Sequence, residues 1–497
     1  MVKMQKEIIT ESSASKDFMK KPKEANKINA STAYETCTEH LSPFGGLLAL
    51  IKFIDLSKFQ EVFNETYIKP RRKPKLGNYR MISGVLVLLF IGFNRLWHFS
   101  YIRKDSMICG FLNVICLPVA STFWRYIDSL GINQANSFLK MTGVLRERAW
   151  KLCNIGLRKI HVDIDTTVET LYGNQEGGRK GHNTRNRGKK GYRPVLGFIY
   201  ETREYIAGKL RKGETISGEE TATLISQIKE YLPGCVQYVV LRADGEFMSW
   251  ESVSEAIKAG IDYIIGNKRC NPPFDPNKWY RVKKKDIIEY NSCVYKPIGW
   301  KVPCRFVAMR IPKEKERESG KPVQLELLSD DNYKYRIFVT SFKAKAHKAI
   351  AVYDKRADVE NLVGEAKREG LAAIPSAKFK TNYAFFQLVM LAYNIWRYLK
   401  LIAETGIQKD AAESKIGSAV SLQGVEANTI RIARLKLLFI AAKVVSSSNT
   451  NKVKYSIHDS RTSGLMNFLG FLDGMRSKAR PWVDKIGWPC RFSLNSV

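Results

Sequence analysis

The chain is short of acid. Its 497 residues hold 48 Asp plus Glu against 81 Lys plus Arg, a formal net charge of +33. An excess of this size is not a casual surface imbalance, and it predicts a polyanionic partner, nucleic acid ahead of an acidic membrane. Cysteine is also sparse. The nine residues are odd in number, scattered and without a CxxC pair. That argues against a disulfide framework or a zinc site and for reduced intracellular thiols. Long apolar runs are missing: the longest, Met81 to Phe93, falls well short of the roughly 20 residues that span a bilayer. The N-terminus, MVKMQKEIITESSASKD, has no apolar stretch of the secretory kind. A cytoplasmic protein with no membrane partner is therefore expected. No GxxxxGK[ST] loop and no internal repeat occur, so ATP use is not supported.

What remains is ordinary globular composition, 44% hydrophobic and 26% charged, long enough for more than one core. Residues 1–40 are rich in Lys, Glu, Ser and Asn and read as a flexible tail. Over 41–154 the apolar spacing is helical, with helices expected at Leu47–Phe63, Met81–Ile102, Ser121–Leu130 and Gln134–Cys153. The basic run Lys69 to Lys75 lies between them, and this region is a candidate DNA-binding module. Near 157 the period changes to two. Ile160, Val162 and Ile164 face one way and His161, Asp163 and Asp165 the other. Strands near Val195–Tyr200 and Tyr205–Leu210, a helix at Gly218–Tyr231 and a strand at Val236–Arg242 follow, which suits a mixed α/β sheet. Residues 267–344 hold short β-like runs among Lys- and Pro-rich turns. Long helices are expected at Ala349–Glu369 and Tyr383–Ala403, and 401–497 reads as a helical C-terminal region with a helix at Asn428–Val445 and an irregular end.

In so basic a chain, carboxylates on apolar strands need a reason. Asp163 and Asp165 share a strand face, and Asp244 follows the apolar run VQYVVLRA at a Gly turn. Carboxylates converging at strand ends repel unless protonated or bridged by a cation, and hard oxygen ligands suit Mg²⁺. Further on, Tyr353, Arg356, Glu360 and Lys367 fall at steps of three, four and seven, on one helix face. The Glu can complete a set of three acids, with Arg and Lys placed for phosphates.

This Tyr-(2)-Arg-(3)-Glu-(6)-Lys pattern resembles the signature of the DDE transposases of bacterial insertion sequences, whose catalytic domain is RNase H-like. DIDTTV is similar to their first motif, LRADGEF to their second, and the Tyr383–Tyr398 run with Asn394 to the helix after their catalytic Glu. The resemblance covers about 155–400. It implies an α/β fold with an RNase H-like mixed-sheet core at 155–400, interrupted by a β-rich insertion at 267–344 and flanked by helical regions. It implies Asp165, Asp244 and Glu360 as catalytic acids binding Mg²⁺, with Mn²⁺ as a substitute. Asp163 stays open as a metal ligand, although an Asp two residues before a Thr (here Thr167) fits Asp165. Glu246 departs from the usual second motif and is a candidate outer acid. The implied activity is excision and insertion of the element at its terminal inverted repeats. The implied partners are double-stranded DNA, both transposon ends and target, and a second copy of the chain in a homodimer, in the cytoplasm at the nucleoid. Two other readings stay open: a nuclease that cuts without joining, and an inactive transposase-derived DNA-binding protein.

Two further groups are candidates for DNA contact. RKGHNTRNRGKKGYR, residues 179–193, has seven cations and no acid, so Arg179, Lys180, Arg185, Arg187, Lys189 and Lys190 would follow a phosphate backbone. Its Gly and Asn content suggests flexibility before DNA binds. Trp279 and Trp300 lie in the insertion among Lys and Arg and could stack on unpaired bases or pack the insertion's own core. His161 and His182 read as packing and phosphate contact rather than as metal ligands.

Overall fold

The computed structural model describes residues 28–181, 186–313, 332–413, 424–447 and 450–478. Residues 1–40 cluster as one unit and 41–497 as another. In the larger unit, helices α1 (Leu47–Leu56), α2 (Phe59–Thr66), α3 (Asn78–Phe90), α4 (Ser106–Leu112), α5 (Ala120–Asp128) and α6 (Ile132–Leu152) come first. The single helix expected at Leu47–Phe63 is two, because Lys58 sits in the left-handed region at φ 51° and breaks the ladder. The helix expected over Met81–Ile102 stops at Phe90, where Gly92 turns the chain at φ +91°. Every residue of α3 from Met81 to Phe90 is buried, as an apolar helix inside a core should be.

Eight strands then build one sheet: β1 (Lys159–Thr166), β2 (Val195–Ile199), β3 (Glu204–Lys209), β4 (Tyr238–Ala243), β5 (Asp262–Gly266), β6 (Glu289–Tyr295), β7 (Cys304–Pro312) and β8 (Tyr333–Thr340). Their order is β6-β7-β8-β5-β4-β1-β2-β3. The pairs β1–β2 and β2–β3 are antiparallel, whereas β1–β4 and β4–β5 are parallel. The parallel connections run through α7 (Gly218–Glu230) and α8 (Trp250–Ala259). A five-strand core in the order 3-2-1-4-5 with these directions is RNase H-like. The insertion does not form a separate β module. Its strands extend the same sheet, β8 pairing antiparallel with β5 through Thr340 and Ile264.

Helices α9 (Ala346–Asp354) and α10 (Asp358–Ala366) are joined by a 3-10 turn at Lys355–Ala357, and a π-helical turn at Lys367–Leu371 follows. The one helix expected over Ala349–Glu369 is thus broken twice. Next, α11 (Phe379–Glu413) packs on α3 and α6 and covers the β3 edge of the sheet. An exposed strand edge invites pairing with other chains. Here Asn394 accepts from Tyr205 N at 2.8 Å and donates to its O at 2.6 Å, while Gln387 donates to Gly208 O at 2.8 Å. From the other side Arg146 on α6 donates to Glu204 at 2.8 Å and to Tyr205 O at 2.6 Å, both groups fully buried.

The C-terminal region is not purely helical. After α12 (Ile430–Leu437), β9 (Ala442–Ser447) and β10 (Thr450–Tyr455) form a hairpin, and Leu41–Ser42 pairs with β9. The helix expected through Val445 therefore ends eight residues early, and β-branched Val444 and Val445 go to the hairpin. Where an irregular end was expected, α13 (Thr462–Lys478) forms and packs on α1. No helix among the described residues is long and apolar enough to cross a membrane.

Candidate active site

The site is set by strand register. On β1 and β4, Asp163 pairs with Arg242 and Ile164 with Ala243. The next position on each strand is Asp165 and Asp244, so two acids leave the sheet side by side at the ends of parallel neighbours. The two aspartates of β1 then part company. Asp163 is 1% exposed, and its oxygens accept from Arg242 Nε at 2.6 Å and Nη2 at 2.8 Å. Both are committed to a buried ion pair, which leaves Asp163 no opening toward a cation in solution. Asp165 is half-buried and reachable. Burial pushes its carboxyl up to about 6; Arg356 pulls it down and the Asp244 charge pushes it up again. Asp244 Oδ1 accepts from Glu246 N at 2.7 Å, and Lys268 Nζ lies 3.3 Å from Oδ2. Lys268 is a residue that sequence reading missed, since nothing in the sequence places the turn after β5 beside β4.

The helix signature maps onto the exit of β1. Arg356 Nη2 donates to Ile164 O at 2.9 Å and lies 3.1 Å from Asp165 Oδ1; Lys367 Nζ donates to Val168 O at 2.7 Å. Both cations clamp the helix to the strand end, and Arg356 is buried. They are committed to protein groups rather than turned to solvent as phosphate contacts would be. Tyr353 is half-buried, its ring 4.5 Å from Phe338 in a satellite core. Glu360 lies on α10, between Arg356 and Lys367 in sequence, is exposed, and its side chain has no hydrogen bond or ion pair among the described residues. No three acidic, His or Cys side chains among the described residues close into a metal-sized group.

The described parts of 179–193 are strand and turn. Glu169–Thr170, Lys190–Tyr192 and Arg179–Lys180 form a small antiparallel sheet, a flap following β1. Buried Tyr192 anchors its last strand. Lys180, Arg187, Lys189 and Lys190 are exposed, and Arg179 pairs with Glu214 at 2.5 Å. Arg185 and His182 lie outside the described residues. In the insertion the tryptophans divide. Trp300 is buried and packs against Trp250 and Phe306, as a residue of the insertion's own core would. Trp279 is half-buried, and the Arg310 guanidinium lies between its ring at 4.2 Å and that of Tyr333 at 4.3 Å. His161 bonds Glu201 at 2.6 Å and is not placed as a metal ligand.

The donor chemistry suits a hard divalent cation. Two carboxylates converge at a half-buried strand end, burial and their mutual repulsion raise the Asp165 pKa, and a cation there would relieve both.

Fold and site together define an RNase H-like protein with paired acids at the ends of its two central strands. Residues 25–473 match the family described as transposase DDE domain group 1, and the chain belongs to that family. No curated protein matches it. Among solved structures, it is similar to the cryo-EM structure of the piggyBac transposase synaptic complex with hairpin DNA. The identity is 10%, 85% of each chain is covered and the TM-score is 0.39.

Proposed function

We propose that this chain is a DNA transposase of a bacterial insertion sequence, in the group with the Tyr-Arg-Glu-Lys signature. It excises and reinserts its own element by cleaving at the terminal inverted repeats and joining the freed 3′ ends to target DNA. It acts at the nucleoid, as a homodimer on double-stranded ends. The observation that carries this reading is the convergence of Asp165 and Asp244 at successive register positions, in a DDE-family chain of charge +33.

Asp165, Asp244 and Glu360 are the catalytic acids and would hold Mg²⁺ or Mn²⁺; Asp163 is left out because Arg242 occupies it. Such a cation supplies Lewis-acid polarisation of phosphodiester oxygens and eases deprotonation of the attacking hydroxyl. The residues themselves do the rest. Arg356 orients Asp165 and offsets its charge, and Lys367 holds the chain leaving β1. Lys268, exposed beside Asp244, meets the incoming phosphate. Lys180, Arg187, Lys189 and Lys190 of the flap, with Arg179 and Arg185, follow the backbone of the bound end, and Trp279 with Arg310 offers a second contact. Incubating DNA that carries the sequences flanking the coding region, with Mg²⁺ or with EDTA, tests the proposal. Metal-dependent cuts at the element boundary, absent from Glu360→Gln, are expected. Salt-sensitive binding without cuts under Mg²⁺ or Mn²⁺ would refute it.

A further inference from the structure

Glu246 stands two residues after Asp244 and touches four segments of the site. Its backbone N–H donates to Asp244 Oδ1 at 2.7 Å. Its Oε2 accepts from Thr166 Oγ1 at 3.0 Å and from Arg193 Nη2 at 2.7 Å, and its Oε1 from Ile216 N at 3.3 Å. Its carbonyl accepts from Arg269 Nη2 at 3.2 Å. Thr166 in turn donates its N–H to Asp165 Oδ1 at 3.0 Å. One carboxylate thus lies two bonds from Asp165, is joined through its own backbone to Asp244, and holds the arginine at the base of the flap.

We infer that Glu246 is a positioning residue that locks the basic flap to both catalytic aspartates, an inference that rests on the function proposed above. Both Glu246 oxygens are already engaged, so it is not a spare metal ligand. The Arg193 and Glu246 side chains are 14% and 15% exposed, which leaves their charge-assisted bond little screened by salt. Arg193 immediately follows flap strand Lys190–Tyr192, and its N–H is tied to Arg211 O at 3.0 Å. It has no other side-chain hydrogen bond among the described residues, and its Nε is buried without a partner. The side chain therefore gains its polar fixation from Glu246. Without that bond, the flap that carries the phosphate contacts has no fixed distance to Asp165. Thr166, which orients the Asp165 carboxylate, loses its acceptor.

The test uses the full chain and its end DNA with Mg²⁺, comparing Glu246→Gln, Arg193→Gln and the double variant. Each single change should slow cleavage of saturating end DNA by about 10- to 100-fold, the usual cost of losing a partner that orients a metal ligand. DNA affinity should stay close to wild type, and the double variant should be no slower than the slower single. Wild-type rates in the singles, or losses that multiply in the double, would overturn the lock. Amide hydrogen exchange over 186–193 in the metal-free protein is the second readout. Faster exchange in both singles supports the lock, and unchanged exchange overturns it. If the unaltered chain fails to cut, the proposed function falls and the exchange result alone decides this inference.

Discussion

The Arg356 guanidinium lies 3.1 Å from Asp165, and it comes from the turn that opens the helix carrying Glu360. On the same strand face, two residues earlier, Asp163 has an arginine of its own in Arg242. The two pairs look alike in sequence and differ in burial. Arg242 and Asp163 are sealed at 0% and 1%, whereas Asp165 is 20% exposed and faces a second acid. One pair holds the sheet together and the other sits at the point of chemistry.

That difference separates two asparagine variants. Asp163→Asn leaves the buried Arg242 charge unpaired and should cost about 3–5 kcal/mol of stability. Asp165→Asn removes a carboxylate that burial already disfavours and leaves Arg356 its bond to Ile164 O, so it should destabilise clearly less than Asp163→Asn, while cleavage is lost. Urea unfolding of both variants checks this. Equal destabilisation would undo the assignment of Asp165 over Asp163.

Asp244→Asn and Glu360→Gln should each reduce end cleavage by roughly 10³-fold or more, since a missing metal ligand forfeits several kcal/mol of transition-state stabilisation. Binding of end DNA, measured by gel shift, should be unchanged or slightly tighter because a negative charge is gone. A Glu360→Gln enzyme that cuts at full rate would remove the helix from the site, whatever the fate of the two aspartates.

The central strands and the placement of Asp165 and Asp244 at their ends were legible because β1 alternates strictly and β4 is a closed apolar run ending at Asp-Gly, both short-range patterns. The roles of Arg356 and Lys367 were not. A helix face shows which side chains share a side, not whether a strand-end carbonyl waits there to accept them. Fifth strand β5 escaped notice because DYIIG is too short to stand out, and Lys268 escaped with it. The C-terminal hairpin was hidden for another reason: beyond its pairing with β10, β9 also pairs with Leu41–Ser42, about 400 residues away along the chain, which no local pattern shows.

Trp300 and Trp279 should respond differently to alanine. Trp300 fills space between Trp250 and Phe306, so its removal should cost about 3–5 kcal/mol. Trp279 stacks on Arg310 at a half-exposed site, and its loss should cost about 1 kcal/mol while weakening DNA binding. Thermal unfolding and gel shifts on the two variants decide this. A Trp300→Ala chain of wild-type stability would show that the ring is available to a ligand after all.

The exposed flap cations should bind phosphates and do little else. Replacing Lys189 and Lys190 by alanine should leave stability unchanged, since neither makes a side-chain ion pair among the described residues. DNA affinity should fall, and the slope of log K against log salt should become shallower by about 0.9 for each phosphate no longer neutralised, or about 2 for the pair. Fluorescence anisotropy between about 50 and 200 mM salt gives the slope. An unchanged slope would place the flap away from the DNA.

Lys400, fully buried on α11, donates to Asn428 O. Burial pushes its ammonium down to about 7 from 10.5, with the Arg397 charge acting in the same direction and Glu365 against it. The native chain therefore releases this proton near pH 7, while the unfolded chain holds it until about 10.5. Between those values the unfolded state binds more protons, so stability must rise with pH, by about 1.4 kcal/mol per unit from this group alone. The contribution is complete above the unfolded value and gone below the native one. Lys400→Met keeps the bulk of the stem and abolishes the titration. Urea midpoints of wild type and variant at about pH 7, 8 and 9 should therefore diverge, wild type gaining on the variant with each step. A constant difference across that range would mean that Lys400 stays charged in the core, held there by Glu365 and Glu426.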